Sequence, residues 1–258
     1  MKKILSVLAF FFCADIAAAY VGNPSEPVAI ETGIFMADDS IMKIKMGYEG
    51  DFIFDARLKA SGGVSGGIDE CKIYTNQGVL TLEFLDRVEI YGSVGSMRAT
   101  LSHRPRVDHK LREYQTREAP TWTTGGRVLL FQWHDTSLGM QGDYQWGNAD
   151  LLWDTLNGTS LKTNGAMRYR QWQIAFGVSQ QIDIFIPYAA VKYSNTHMVL
   201  SKLSKNLELD SSWFTMRNRG HFGLVLGCTL AAFKIIDLTG EVRLIDEEAI
   251  SVTANIKF

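Results

Sequence analysis

The stretch Glu247–Phe258 reads EEAISVTANIKF. Ile250, Val252, Ala254, Ile256 and Phe258 fall on one side of an extended chain. Ser251, Thr253, Asn255 and Lys257 fall on the other, because successive strand side chains point to opposite faces. One face is apolar over its full length. A strand of this kind is at home where that face meets hydrocarbon and its last aromatic meets the interface.

The same period of two recurs upstream. In the segment 236–244, Ile236, Leu238, Gly240, Val242 and Leu244 alternate with Asp237, Thr239, Glu241 and Arg243. In 171–179, Trp172, Ile174, Phe176 and Val178 alternate with Gln171, Gln173, Ala175, Gly177 and Ser179. In 138–146, Leu138, Met140, Gly142, Tyr144 and Trp146 alternate with Gly139, Gln141, Asp143 and Gln145. Further segments set Met42, Ile44 and Met46 against Lys43 and Lys45, and Phe52, Phe54 and Leu58 against Asp51, Asp55, Arg57 and Lys59, with Ile53 out of phase.

Composition agrees with such a chain. Of 258 residues, 46% are hydrophobic and the mean hydropathy is close to zero, as alternation makes it. The opening MKKILSVLAFFFCADIAAA has two lysines, a short apolar run and a small-residue end, the pattern of a secretory signal peptide cut after Ala19. Residues 1–19 are therefore expected to be a signal and 20–258 an outer-membrane barrel domain. The net charge of −2 over the whole chain gives no ground for a nucleic-acid partner. With Cys13 in the signal, Cys71 and Cys228 are left, and a disulfide, a cross-link or two free thiols all fit the sequence.

A soluble sandwich also alternates, but its strands run to about 5–6 residues, whereas crossing a bilayer at a tilt takes about 9–11. The fold expected is all-β: a transmembrane antiparallel β-barrel of about 12 strands, within a range of about 10–16, with short periplasmic turns and longer outer loops. The strands are placed near 27–36, 41–48, 51–59, 77–86, 87–99, 124–134, 138–147, 168–180, 183–198, 220–231, 234–245 and 248–258. Tight joints then fall at Tyr48–Asp51, Asp86-Arg87, Asp135–Ser137, Gln180–Asp183 and Ala232–Lys234. The connections 60–76, 100–123, 148–167 and 199–219 are long.

The polar faces carry both signs. Lys43, Lys45, Asp55, Arg57, Glu83, Glu89, Gln141, Asp143, Gln173, Asp237, Glu241 and Arg243 are the candidates for the lumen. Charges in such number call for water or for partners, since an unpaired buried charge costs several kcal/mol. A hydrated channel meets the need in one way, a plugged lumen of paired charges in another. No catalytic, metal or cofactor set is assigned. Gly63–Gly67 fits G-x-S-x-G but lacks the buried strand and helix of a nucleophile elbow. The charged stretch His103–Arg117 reads as a solvated loop or as one folded inward to narrow a pore. His134-Asp135 falls on a periplasmic turn, the wrong rim for a surface enzyme, and His221 stands apart.

Four stretches carry a resemblance: YVGNPSEP after the signal, KMGYEGDFIFD, WQIAFGVSQQIDIFIPYAAVKYS and TGEVRLIDEEAISVTANIKF. They look like the corresponding parts of the chlamydial major outer membrane protein, a porin family, over roughly 20–60 and 168–258. TWTTGGRVLLFQWHDTSLGMQGDYQWG is similar more loosely. The resemblance implies a bacterial outer-membrane barrel that passes small hydrophilic solutes and ions, with outer-membrane lipid around it and a homotrimer as one arrangement. This chain is shorter than the main members, as a shortened paralogue would be. It has few of their cysteines, which puts envelope cross-linking in doubt. A structural or adhesive barrel with a blocked lumen is the alternative.

Overall fold

The computed structural model describes residues 21–29, 41–61, 66–105, 108–161, 164–209, 211–233 and 235–258. The expected signal, 1–19, and most of the Gly63–Gly67 motif lie outside them. Among the described residues one short α-helix, α1 (Glu26–Ala29), precedes fourteen strands. Ten of these are long: β1 (Met42–Asp55), β3 (Gly66–Phe84), β4 (Val88–Pro105), β6 (Ala119–Trp133), β7 (Thr136–Leu156), β9 (Ala166–Gln180), β10 (Phe185–Ser201), β12 (Phe222–Phe233), β13 (Ile236–Leu244) and β14 (Glu248–Lys257). Four are short: β2 (Leu58–Ser61), β5 (Arg112–Thr116), β8 (Thr159–Leu161) and β11 (Phe214–Asn218).

The ten long strands close an antiparallel ring in the order β1-β3-β4-β6-β7-β9-β10-β12-β13-β14, sealed where β14 pairs with β1 from Lys45↔Lys257 to Asp55↔Glu248. Among the described residues the ring is thus ten-stranded, at the lower end of the expected range. The expected turn at Tyr48–Asp51 is absent, because 42–55 is one strand held in register by β3 on one side and β14 on the other. The first residues of the expected strand 27–36 are helical, in α1 up to Ala29, and the rest of it lies outside the described residues.

Tight turns at 85–87, 134–135 and 181–184 and the junction of β12 with β13 share one rim with the start of β1 and the end of β14. The longer connections share the other, which is the outer rim by the usual asymmetry of such barrels. There the strands extend further than the sequence suggested. β5 takes the place of β6 between β4 and β7, and β11 and β2 bridge β10 to β3 above the shorter β12, β13, β14 and β1. A second ring results, of eight strands: β2-β3-β4-β5-β7-β9-β10-β11. The barrel therefore narrows outward, and the regions expected as plain loops at 100–123, 148–167 and 199–219 contain much of this upper ring.

Around the ten-stranded ring the outward face is apolar. Met46, Phe52, Leu80, Ile90, Val94, Phe176, Val178, Val191, Leu226, Leu238, Val242, Ile250, Val252 and Ile256 are all exposed. Ser251, Thr253, Asn255 and Lys257 point inward and are buried, the facing read from the sequence. At about 3.3 Å per residue and a tilt of about 40°, the 10 residues of β14 rise about 25 Å, the height of the apolar band of an outer-membrane barrel.

Candidate functional site

The interior of the lower ring is polar and paired. Lys45 reaches Glu83 at 2.8 Å and Glu89 at 2.5 Å, Lys257 reaches Glu83 at 2.9 Å, and Arg127 reaches Glu89 at 2.8 Å. Arg127 Nε also donates to Gln141 Oε1 at 2.8 Å. Near the β13–β14 turn a second cluster forms around Arg243, which reaches Asp51 at 2.6 Å, Glu247 at 2.7 Å and Glu241 at 3.2 Å. Beside it, Lys192 pairs with Asp246 at 3.1 Å and with Glu247. Most of these pairs join different strands of the wall, which is how the charges are held away from bulk water.

Between the clusters lies the segment Val21–Ala29. Its backbone N–H groups at Val21 and Gly22 donate to the two carboxylate oxygens of Glu241, each at 3.1 Å. Asn23 Nδ2 donates to Thr229 Oγ1 at 2.8 Å. The Asn23 side chain accepts from Ser25 N–H at 2.9 Å and its carbonyl accepts from Glu26 N–H at 3.0 Å, a turn that suits Asn before Pro. Glu26 pairs with Arg127 at 2.7 Å and accepts from Asn255 at 2.9 Å, and Lys45 donates to the Glu26 carbonyl at 3.0 Å. Pro24 lies against Gly139 and Gly177, where an added Cβ would come within 3.0 and 2.7 Å of the proline ring. The segment crosses the lumen as a plug. A cavity of about 10 Å³ beside it is lined by Val21, Gly22, Pro24, Arg127, Gln141 and Gly177 among others.

The interior of the upper ring is different in kind. Ile73, Ala99, Leu101, Leu151, Met167, Met198, Leu200 and Phe214 are buried there in one apolar cluster. Eight strands enclose about the width that side chains can fill. Of the charged stretch 103–117, residues 103–105 and 112–116 lie in β4 and β5 and take part in this cap. His103 is buried and stacks on Phe214 with ring centroids 5.1 Å apart. Arg112 is buried, holds Asp108 through both Nη atoms at 3.0 and 2.7 Å, and donates to the carbonyls of Leu207 and Glu208 at 2.7 and 3.2 Å.

Of the candidate lumen residues, Lys43, Lys45, Glu83, Glu89, Gln141, Asp143, Gln173, Asp237, Glu241 and Arg243 are buried inside the lower ring. Asp55 and Arg57 are not. They sit at the outer rim where β1 ends, and Arg57 pairs with Glu248 at 2.5 Å in the open. Ile53, out of phase in the sequence, points inward into the apolar cap. Cys71 and Cys228 are free thiols, the first buried in the cap and the second half-buried on β12, so they do not meet. His134 lies on the β6–β7 turn, while His221 stacks on Tyr193 on the other side of the membrane zone, with centroids 5.3 Å apart. Sequence reasoning missed the plug. Pro24 and Pro27, which a central strand does not tolerate, were the signal against a strand there.

No family model matches the chain. Among curated proteins, it aligns with the major outer membrane porin, serovar F, of Chlamydia trachomatis at 21% identity over 393 positions, covering 100% of this chain and 99% of the relative. The major outer membrane porin of Chlamydia psittaci aligns at 21% over 394 positions, covering 100% of both. These alignments exceed the 258 residues here, so the relatives carry stretches this chain lacks. Among solved structures, the outer membrane protease OmpT of Escherichia coli aligns with TM-score 0.40 and 10% identity over 84% of this chain and 96% of that one. The β domain of the Bordetella autotransporter BrkA gives TM-score 0.44 and 11% identity over 85% and 99%. An outer membrane channel of Pseudomonas putida F1 gives 0.42 and 9% over 89% and 100%. The ring closure, the apolar belt and the full-length likeness to porins agree: the chain is an outer-membrane β-barrel and a distant, shorter relative of the chlamydial major outer membrane porins.

Proposed function

We propose that this is a porin-type barrel without enzymatic activity, held closed by its own leading segment, which passes small hydrophilic solutes and ions only when that segment leaves the lumen. The observation that carries the reading is the seat of Val21–Glu26. It is fixed mainly by polar contacts, to Glu241, Thr229, Arg127 and Asn255, that water can replace. The wall around it keeps its own pairing without the plug: Arg127 retains Glu89 and Glu241 retains Arg243 and Tyr188. The polar column runs from Lys257 at the inner rim up to Asp246 and Glu247 at the low β13–β14 wall, beside the apolar cap rather than through it. The name carried by the full-length relatives supports the same reading.

A second reading, a structural envelope barrel with a permanently sealed lumen, is favoured by one observation, the dry apolar cap of the upper ring. Planar-bilayer recording separates the two. The mature chain should be silent or open rarely, and the chain lacking 20–29 should conduct steadily. A deletion variant that refolds as a barrel and stays silent would establish the sealed reading.

A further inference from the structure

The outward face of the barrel changes character sharply at the junction of the two rings on the β9–β10–β11 side. One row of register neighbours crosses four strands there: Arg170 on β9 opposite His197 on β10, His197 opposite Arg217 on β11, and Arg217 opposite Lys59 on β2. Arg170, Arg217 and Lys59 are exposed and His197 is half-buried. Arg168, two residues along β9, is exposed on the same face. Among the described residues none of these four Arg and Lys side chains forms an ion pair. Two other outward cations of the upper ring do: Lys72 pairs with Glu70 at 2.9 Å and Arg104 with Asp69 at 3.0 Å. Asp150, exposed on β7 opposite Ala166, forms no ion pair with Arg168.

Directly below this row is an aromatic shelf. Trp172, Tyr193 and Phe222 follow one another with centroids 5.3 Å apart, and Tyr144 and Trp146 stand 5.1 Å apart on β7. Trp146 is the register neighbour of Arg170. A recess of about 390 Å³ opens between Tyr144, Trp146, Asn148, Arg168 and Arg170. Below the shelf the surface is apolar, through Phe176, Val191 and Leu226. Aromatics of this kind mark the level of lipid headgroups. The cations above them are thus at headgroup height on the outer side.

We infer that Arg168, Arg170, Arg217 and Lys59 form a binding site for the phosphorylated headgroup of a glycolipid of the outer leaflet, its sugars over the aromatic shelf and its acyl chains along β9, β10 and β12. Guanidinium groups grip phosphate oxygens by paired hydrogen bonds, which a single ammonium cannot do. Arg170 and Arg217 stand two strand spacings apart, about 10 Å, so one headgroup with two phosphates reaches both. Unlike Lys72 and Arg104, these cations have no protein anion to neutralise them, and phosphate supplies the missing charge. The site does not depend on whether the lumen opens.

The test is retention of lipid through detergent exchange, read by mass spectrometry of the refolded barrel. The probes are bisphosphorylated lipid A and the same glycolipid with its phosphates removed. The wild-type chain should retain the bisphosphorylated form about tenfold better, as charge-assisted contacts require. The triple variant Arg168→Gln, Arg170→Gln, Arg217→Gln should lose that preference while still migrating as a folded, heat-modifiable barrel. The control variant Lys72→Gln, Arg104→Gln should keep it. The inference is overturned if the triple variant retains lipid A as the wild type does, if the dephosphorylated glycolipid is held equally well, or if the control loses as much as the triple variant.

Discussion

The two halves of the interior obey opposite rules. In the ten-stranded ring the inside is charged and the outside apolar; in the eight-stranded ring the inside is apolar and the outside polar. On β3, Thr75, Gln77 and Glu83 are buried in the lower half and Cys71 and Ile73 in the upper. On β7 the inward sequence passes from Gln141, Asp143 and Gln145 to Ala149 and Leu151. On β10 it passes from Lys192, Ser194 and Thr196 to Met198 and Leu200. The strands run straight through, so the change comes from the solvent outside and not from the backbone. Where hydrocarbon touches the outer face, polar side chains have only the interior left to them. Where water touches it, the interior becomes an ordinary core.

Four substitutions break or sharpen that contrast. The largest effect should come from Arg243→Met, which leaves Asp51, Glu241 and Glu247 without their central partner. If the lower interior excludes water, unfolding in lipid vesicles should show a loss of about 3–5 kcal/mol. A loss under about 1 kcal/mol means that water fills it. Phe214→Ala in the upper core should cost about 3–5 kcal/mol by the same measurement, because a buried ring leaves a cavity. A cost near zero would mean the cap is not packed. Next comes the outer face. Val252→Arg on the lipid side of β14 should cost about 2–4 kcal/mol. Ser102→Arg, outward in the upper ring beside Glu70 and Glu113, should stay within about 0.5 kcal/mol. Equal damage from both would place the bilayer elsewhere.

The smallest effect is one of pH. Asp108 lies in the loop before β5, and the hydrogen bonds from Arg112 push its carboxyl down from 3.8 to about 2. A lowered carboxyl stabilises the folded state above its unfolded value and loses that contribution as pH falls through the folded one. The contact from Asp108 to the cap should therefore hold at neutral pH, weaken below about pH 4 and be gone only well below pH 2. Hydrogen exchange at Leu207 and Glu208 should rise over that window, and Asp108→Asn should flatten the change.

The lower ring was legible because its alternation keeps one phase from the turn rim to mid-strand. The segments 236–244 and 250–258 read outward apolar and inward polar without interruption, and the structure has them so. The upper ring was hidden by the inversion itself. A strand whose inward residues pass from Gln145 to Ala149, or from Thr196 to Met198, looks in one dimension like a strand that has ended. The stretch around Gly47 and Gly50 misled in another way. Its glycines suggest a turn, yet the Asn255 side chain presses on Gly47 so closely that an added Cβ would meet it at 2.1 Å. Only the neighbouring strand supplies that reason. Asp55 and Arg57 continue the alternation of β1 past the point where the strand leaves the wall, so period alone placed them in the lumen.

The meeting of β1 with β14 has a consequence for how the chain matures. Lys45 lies opposite Lys257, so the cylinder is shut by a seam between the first long strand and the last. A chain lacking β14 would present the open edges of β1 and β13 to lipid, with two rows of amide and carbonyl groups and nothing to bond them. Completion of the wall thus waits on β14, and a stop before it should send the whole product to degradation rather than yield a slightly smaller barrel.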